Sequence, residues 1–87
     1  VVVDVREAGE REIVALAEAV WVPIGDLRAG AGVPGVDAGV RVYVHCKSGG
    51  RSAEAVDLLR ARGVDAVNVE GGILAWVRDV EPHLPTY

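Results

Sequence analysis

The sequence predicts an α/β protein in which a parallel sheet is flanked by helices on both faces. Three observations support this class. Valine is the commonest of the 87 residues and aromatic residues make up only 5%, which suits strands buried on both faces. Segments with strand character alternate with helical segments, as in βαβ units. Polar or reactive residues lie at the carboxyl ends of three of the strands, where such sheets place their binding sites; they are Asp4, Cys46 and Glu70.

The N-terminal half is predicted to contain two strands and two short helical segments. Val1 to Val5 forms a buried strand, and residues 6–9 form a turn. The elements that follow are a short helix at 10–16, a short strand at 19–22 that Pro23 ends, a helical turn at 24–28, and a Gly/Pro/Ala loop at 29–39. Because a natural domain seldom begins within a strand, we expect residues 1–87 to be one domain and a fragment of a longer protein.

The C-terminal half has a clearer pattern. Its elements are a strand at 40–44, a tight glycine-containing loop at 46–51, a helix at 52–62, a strand at 66–69, a turn at 71–72 and a helix at 73–80. Ser52 suits the N-cap of the long helix and Gly63 its C′ position. We expect Gly71 and Gly72 to pack closely against the cysteine loop, and Trp76 to lie in the core.

Composition and charge exclude several classes of function. The net charge of −4 argues against nucleic acid or an acidic membrane as a partner. No segment approaches the roughly 18 apolar residues of a membrane span, and no signal-peptide pattern opens the chain, so we expect a soluble cytoplasmic protein. A single cysteine excludes an internal disulfide and a zinc site of the usual spacing. We expect neither a metal nor a cofactor.

The only cysteine, Cys46, lies in a loop that favours a reactive thiolate. It is followed by Lys47, Ser48, Gly49, Gly50, Arg51 and Ser52. The glycines allow successive backbone N–H groups to turn toward the sulfur, and the helix N-terminus and two basic side chains add positive charge. Such surroundings lower the pKa of a thiol and hold an anion. We predict that Cys46 is a nucleophile, partly exposed in a shallow positive pocket, and that the six following residues bind the substrate.

The loop contains no candidate general acid or base, and this favours sulfur chemistry. His45 should point away from the cysteine, because side chains alternate along a strand. Sulfur transfer between thiolates needs little proton help, whereas phosphoester hydrolysis needs an acid for the leaving oxygen. The loop can in principle hold a persulfide, thiosulfate or phosphate.

Three motifs resemble the hallmarks of rhodanese domains. They are Asp4-Val5-Arg6-Glu7, the loop Cys46 to Ser52, and Gly71-Gly72-Ile73 followed by Trp76. The resemblance covers nearly the whole chain and implies a rhodanese-like fold with sulfurtransferase activity. Four residues separate Cys46 from Arg51, as in rhodaneses, whereas related cell-division-cycle phosphatases have five and a larger pocket that fits phosphate. The family's first strand and helix are missing before Asp4, which implies a truncated N-terminal part.

Further segments are similar to one subgroup of that family. The segments Cys46-Lys47-Ser48-Gly49, Arg51-Ser52-Ala53-Glu54-Ala55 and Leu84-Pro85-Thr86-Tyr87 look like the C-terminal rhodanese domains of adenylyltransferase–sulfurtransferases. This resemblance implies an upstream E1-like adenylyltransferase domain in the same chain. It also implies a cysteine persulfide that takes sulfur from thiosulfate or a cysteine desulfurase. The acceptor would be the adenylated C-terminus of a ubiquitin-like sulfur-carrier protein serving molybdopterin, thiamine, cysteine or tRNA thiolation.

The remaining charged residues have plainer interpretations. Asp4 is expected to cap its turn and pair with Arg6, while Arg6 either holds the turn or binds substrate. Four acidic residues are interpreted as solvated helix surface: Glu10, Glu12, Glu54 and Asp57. Two alternative functions stay open, namely a catalytically silent rhodanese-fold interaction module and a small phosphatase or arsenate reductase.

Overall fold

The computed structural model describes residues 1–36 and 39–86, and within them it contains four strands and four helices. In chain order these are β1 (Val2–Asp4), α1 (Ala8–Ile13), β2 (Val20–Trp21), α2 (Ile24–Arg28), β3 (Arg41–His45), α3 (Gly50–Ala61), β4 (Asp65–Asn68) and α4 (Gly72–Asp79). The strands form one sheet in the order β2-β1-β3-β4, and every pairing is parallel. The predicted α/β class is therefore confirmed. Asp37 and Ala38 of the predicted 29–39 loop, and Tyr87, lie outside the described residues.

Two helices begin two residues earlier than the sequence suggested. Helix α1 begins at Ala8 because Glu7 and Glu10 form a reciprocal capping box, in which the Glu7 N–H donates to Oε2 of Glu10 at 2.9 Å. Helix α3 begins at Gly50, and its N-cap is Gly49 in the left-handed region with φ of +119°. The predicted N-cap role of Ser52 is therefore wrong, since Ser52 is the third residue of the helix and is buried.

Helices α2 and α3 cover one face of the sheet. The strands contribute alternate small aliphatic side chains to this core, and the helices contribute their inward faces: Val3, Val5, Val42, Val44 and Ala66 pack with Ile24, Leu27, Ala55, Val56 and Leu59. Cys46 belongs to the same cluster. The end of β3 and the start of α3 are therefore anchored on both sides of the cysteine loop.

Helix α4 lies on the opposite face, which confirms that helices flank both faces. Ile73 and Val77 of α4 pack against Val14 in a second cluster. Tyr43 alternates with the buried Val42 and Val44 along β3, so it points to this face, where it lines a depression of about 430 Å³ together with Trp76. The prediction that Trp76 lies in the core is wrong. It is 36% exposed, and its indole N–H donates to Glu81.

The parallel register brings the carboxyl ends of the strands to one edge of the sheet. Asp4 pairs with His45, and Val44 pairs with Asn68. Cys46 follows His45 directly, so the cysteine loop, Asp4 and Asn68 are neighbours at this edge. No helix within residues 1–36 and 39–86 is long and apolar enough to cross a membrane.

Candidate active site

The loop after β3 wraps its backbone around the sulfur of Cys46. The N–H of Gly49 donates to Sγ at 3.1 Å, and the hydroxyl of Ser52 lies 3.4 Å from the same atom. The loop can turn this tightly because Gly49 adopts a positive φ, which a side chain would disfavour. The sulfur therefore faces the start of helix α3 and its backbone N–H donors, as predicted from the glycines of the loop.

Cys46 is more enclosed than the sequence suggested. We expected a partly exposed thiol, but the residue is 1% exposed. The reason is that Cys46 follows a buried strand directly and packs into the core shared with α2 and α3. Ser48 and Gly50 of the loop are exposed and Lys47 and Gly49 are half-buried, so the loop itself is at the protein surface above the sulfur.

The surroundings of the sulfur favour its ionised form. Burial raises the pKa of the Cys46 thiol, but it is opposed by hydrogen bonds from the Ser52 hydroxyl and from the backbone N–H groups of Ser52, Gly49 and Ser48. These hydrogen bonds prevail, and the pKa of Cys46 lies below its usual value. The thiolate, which is the nucleophilic form, is therefore more populated at neutral pH than in an ordinary cysteine.

Arg51 is held by an acidic partner that the sequence analysis assigned to solvated surface. Its Nη1 and Nη2 atoms each donate to one carboxylate oxygen of Glu10 at 2.6 Å. Glu10 is 20% exposed at its side chain, and the same carboxylate caps α1. The interpretation of Glu10 as solvated surface is wrong, because this forked ion pair ties α1 to the start of α3. Arg51 thus ties the end of the cysteine loop to helix α1, whose Glu10 lies 41 residues earlier in the sequence.

Ser52 and Asn68 join the cysteine loop to the end of β4. The Ser52 hydroxyl donates to Oδ1 of Asn68 at 2.6 Å, and Nδ2 of Asn68 lies 3.3 Å from the carbonyl oxygen of Gly49. Sequence reasoning did not single out Asn68. The only available signal was its position at the carboxyl end of a strand, where Asp4 and Cys46 were recognised for the same reason.

Helix α4 begins against the backbone of the cysteine loop. The N–H groups of Ile73 and Leu74 donate to the carbonyl oxygens of Cys46 and Lys47 at 2.9 and 3.2 Å. Gly72 makes this approach possible, because a Cβ at this position would lie 2.5 Å from both carbonyl oxygens. The expected close packing of the Gly71-Gly72 turn on the loop is confirmed.

Substitution of Gly72 by alanine is expected to destabilise the protein by about 2 kcal/mol. The added Cβ would overlap backbone atoms that cannot rotate away, and the φ of +58° at Gly72 disfavours a side chain. Urea unfolding measures the effect. Gly25→Ala is the matched control, because Gly25 lies in α2 with nothing within 4 Å of a Cβ. Equal stability of the two variants would contradict the proposed close approach.

Asp4 and Arg6 form a buried ion pair beside the cysteine loop. Oδ1 of Asp4 accepts hydrogen bonds from the backbone N–H and Nε of Arg6 at 3.0 Å, and Oδ2 accepts one from Nη2 at 2.8 Å. Nη2 also donates to the carbonyl oxygen of Val14, and both side chains are 0% exposed. The expected capping of the turn by Asp4 is confirmed. This geometry is that of a structural brace, so we leave Arg6 out of the proposed anion site.

His45 lies in the core behind the site. It is 0% exposed, its Nε2 atom is 3.9 Å from Oδ2 of Asp4, and Nδ1 is 3.4 Å from the carbonyl oxygen of Cys46. Burial lowers the pKa of His45, and the charge of Asp4 opposes this only in part. The ring is therefore neutral at pH 7 and packs as a strand-end residue, as expected. The described residues contain no group of three or more His, Cys, Asp or Glu that could hold a metal ion.

The chain belongs to the rhodanese-like domain family, which it matches over residues 1–79. Among solved structures, it is similar to a rhodanese-related protein from Thermoplasma volcanium, with a TM-score of 0.81 and 36% identity over 93% of this chain and 79% of that one. It is also similar to a rhodanese-like domain protein from Staphylococcus aureus, with a TM-score of 0.79 and 32% identity over 99% and 79% of the two chains.

Among curated proteins, the relatives combine two activities in their names. The chain is 34% identical over 86 residues to the probable adenylyltransferase/sulfurtransferase MoeZ of Mycobacterium tuberculosis, covering 98% of this chain and 22% of that protein. It is 30% identical over 87 residues to the adenylyltransferase and sulfurtransferase UBA4 of Yarrowia lipolytica, covering 100% and 22%. The chain thus spans about a fifth of the length of these relatives and corresponds to their rhodanese domain.

Proposed function

We propose that this chain is a sulfurtransferase domain that carries sulfur as a persulfide on Cys46. The observation that supports this most strongly is the hydrogen bond from the Gly49 N–H to Sγ at 3.1 Å. A structural cysteine in an apolar core has no need of such a donor, whereas a thiolate or a persulfide anion is stabilised by it. The sulfurtransferase names of relatives that contain this domain agree with the proposal.

The proposed reaction has two steps. The Cys46 thiolate attacks the outer sulfur of thiosulfate, an S–S bond forms at Sγ, and sulfite leaves with the electron pair of the broken bond. A nucleophile such as cyanide then attacks the terminal sulfur of the persulfide, and the Cys46 thiolate leaves with the electron pair of the S–S bond. The backbone N–H groups of Ser48, Gly49 and Ser52 stabilise the anion at the start and at the end of this cycle.

We propose that the positive charge that attracts the incoming anion comes from the basic side chains of the loop and from the N-terminus of α3. Lys47 is half-buried beside the cysteine, and the chain turns through Ser48, Gly49 and Gly50 into α3. We propose that the physiological donor is thiosulfate or a cysteine desulfurase. We further propose that the acceptor is the adenylated C-terminus of a ubiquitin-like sulfur carrier, activated by an E1-like domain of the same polypeptide. The dual names of the relatives support this assignment.

Incubation of the chain with thiosulfate and cyanide tests the proposal, and we expect thiocyanate to accumulate catalytically. A second arm replaces thiosulfate by a cysteine desulfurase with cysteine, followed by intact-mass measurement of sulfur on Cys46. Hydrolysis of p-nitrophenyl phosphate in a third arm detects the phosphatase alternative. The proposal fails if neither donor produces thiocyanate or a persulfide on Cys46, since a silent interaction module would give that result.

Arg51→Ala is expected to slow sulfur transfer by roughly tenfold to a hundredfold, equivalent to about 1–3 kcal/mol, and Lys47→Ala is expected to slow it less. Loss of Arg51 removes the brace between α1 and α3 and leaves the Glu10 carboxylate without this guanidinium. The site then becomes more negative and the pKa of the Cys46 thiol should rise. A pH titration of Cys46 alkylation measures that rise alongside the rate.

Arg28→Ala is the matched control for Arg51→Ala. Arg28 forms a forked pair with Glu54 at 2.6 Å, but both side chains are largely exposed and the pair joins α2 to α3 away from the cysteine. We expect the alkylation profile of this variant to follow the wild type. Identical profiles for Arg51→Ala, Lys47→Ala and wild type would mean that backbone donors alone determine the site, and the roles of both side chains would be withdrawn.

A further inference from the structure

One carboxamide contacts two of the residues whose polar groups approach the sulfur of Cys46. Asn68 is the last residue of β4. Its Oδ1 accepts a hydrogen bond from the Ser52 hydroxyl at 2.6 Å, and its Nδ2 donates one to the Gly49 carbonyl oxygen at 3.3 Å. Ser52 Oγ and the Gly49 N–H are in turn 3.4 and 3.1 Å from Sγ. Asn68 therefore lies directly behind two of the contacts on the reacting atom.

The contact between Asn68 and Gly49 restrains the loop where two successive glycines give the backbone the most conformational freedom. Gly49 is followed by a second glycine and adopts φ of +119°, a conformation that glycine reaches freely and leaves as freely. Its carbonyl oxygen is held by the N–H of Ala53 in α3 and by Nδ2 of Asn68. The hydrogen bond from β4 thus helps to fix the orientation of the residue whose N–H points at Sγ.

The contact between Asn68 and Ser52 influences which acceptor receives the single proton of the Ser52 hydroxyl. The Ser52 oxygen lies 2.6 Å from Oδ1 of Asn68, 3.2 Å from the Gly49 carbonyl oxygen and 3.4 Å from Sγ. A hydroxyl has one proton to donate, and the shortest of the three contacts is the one to Asn68. Asn68 therefore holds the Ser52 oxygen beside the sulfur, and Oδ1 of Asn68 competes with the sulfur for the hydroxyl proton.

We propose that Asn68 is a positioning residue for the reaction at Cys46, which holds residue Gly49 and the Ser52 oxygen in place so that the Gly49 N–H stabilises an anionic sulfur. The inference rests on the proposed function, because an anion at Cys46 matters for a sulfur carrier. It assigns to the end of the edge strand a part in the chemistry of a loop that is 19 residues away in sequence. A residue needed only for folding would stabilise the protein without altering the ionisation of the thiol.

Two substitutions separate the parts of this role. Asn68→Leu has a similar size but neither donates nor accepts, so Gly49 loses its restraint from β4. Asn68→Asp still accepts the Ser52 proton but cannot donate to the Gly49 carbonyl, and its charge repels an anionic sulfur. We expect the pH midpoint of Cys46 alkylation to rise in the order wild type, Asn68→Leu, Asn68→Asp. The rise for Asn68→Asp should correspond to about a tenfold loss of thiolate at neutral pH.

Double variants with Ser52→Ala show whether the hydroxyl carries part of the effect. The additional rise of Asn68→Asp over Asn68→Leu should become smaller when Ser52 is absent, because only the direct repulsion by the carboxylate then remains. Asp65→Asn, at the opposite end of β4 and exposed, is the control for a change of charge on the same strand. Its alkylation profile should match that of the wild type.

The outcomes are decisive because alkylation does not depend on sulfur transfer. An unchanged midpoint in both Asn68 variants, with a lowered melting temperature, would make Asn68 a structural residue only. A lowered midpoint in Asn68→Leu would show that Asn68 mainly withholds the proton, which also overturns the proposal. If Asn68→Leu does not fold, the smaller Asn68→Ala variant, which also neither donates nor accepts, replaces it. Failure of the wild-type chain to form thiocyanate would instead contradict the proposed function and leave the alkylation result valid.

Discussion

Replacement of Cys46 by serine is expected to lower thiocyanate formation at least about a thousandfold, a change of about 4 kcal/mol in the activation free energy. Cys46 is the only cysteine in the chain, so no second thiol can carry the sulfur. A serine oxygen is not ionised at neutral pH and cannot form a persulfide. Thiocyanate production from thiosulfate and cyanide measures the loss. The intact mass after incubation with thiosulfate should show one added sulfur in the wild type and none in the variant.

The fold of Cys46→Ser should be preserved, which makes the loss of activity interpretable. A serine oxygen occupies slightly less space than sulfur and can accept the same hydrogen bond from the Gly49 N–H. Circular dichroism and urea unfolding provide the control. Thiocyanate formation by Cys46→Ser at the wild-type rate would mean that the sulfur is carried elsewhere, and the assignment of the nucleophile would be abandoned.

Asp4→Ala is expected to destabilise the protein by about 3–5 kcal/mol at pH 7, the largest effect that we expect on stability. The substitution leaves the Arg6 guanidinium buried without the carboxylate that accepts its Nε and Nη2 hydrogen bonds. Asp4 is also 3.2 Å from Nε of the partly exposed Arg11, so a second cation loses its partner. Urea unfolding measures the difference, and Asp57→Ala on the exposed face of α3 should change stability by less than about 0.5 kcal/mol.

Because a domain of this size has only about 5–15 kcal/mol of stability, Asp4→Ala can prevent folding. Asp4→Asn is therefore the second variant. It keeps an acceptor for the Arg6 backbone N–H but loses the charge, and a loss of about 1–3 kcal/mol is expected. Wild-type stability in both variants would show that the buried pair contributes nothing, contrary to its geometry.

The destabilisation by Asp4→Ala should depend on pH. Burial raises the pKa of Asp4, but the hydrogen bonds from Arg6 and the charge of its guanidinium outweigh burial and hold the pKa of Asp4 below its usual value. A carboxyl group whose pKa is lower in the folded state adds stability above its unfolded pKa of about 3.9. That contribution is lost as the pH falls through the folded-state pKa. The stability difference between wild type and Asp4→Ala should therefore be full at pH 7 and shrink below about pH 4.

Much of the fold, and the proposal of Cys46 as the nucleophile, followed from local features of the sequence. The valine-rich strands, the glycine-containing turn after Cys46 and the long helix that follows are encoded by neighbouring residues, because strand burial and turn conformation depend on side chains close in sequence. The capping of the first turn by Asp4 was predictable for the same reason, since its partner Arg6 is two residues away. The family resemblance rested on short motifs of the same local kind.

The partners of the site were decided only by the tertiary structure. Glu10 contacts Arg51, which is 41 residues away in the sequence, and Asn68 contacts Ser52, which is 16 residues away. Both contacts exist because the order β2-β1-β3-β4 and the packing of α1 and α3 bring distant elements to one edge of the sheet. The sequence alone indicates that a residue is polar and follows a strand, but not which side chain it will face. The same holds for Trp76, whose exposure depends on what covers the second face of the sheet rather than on the periodicity of α4.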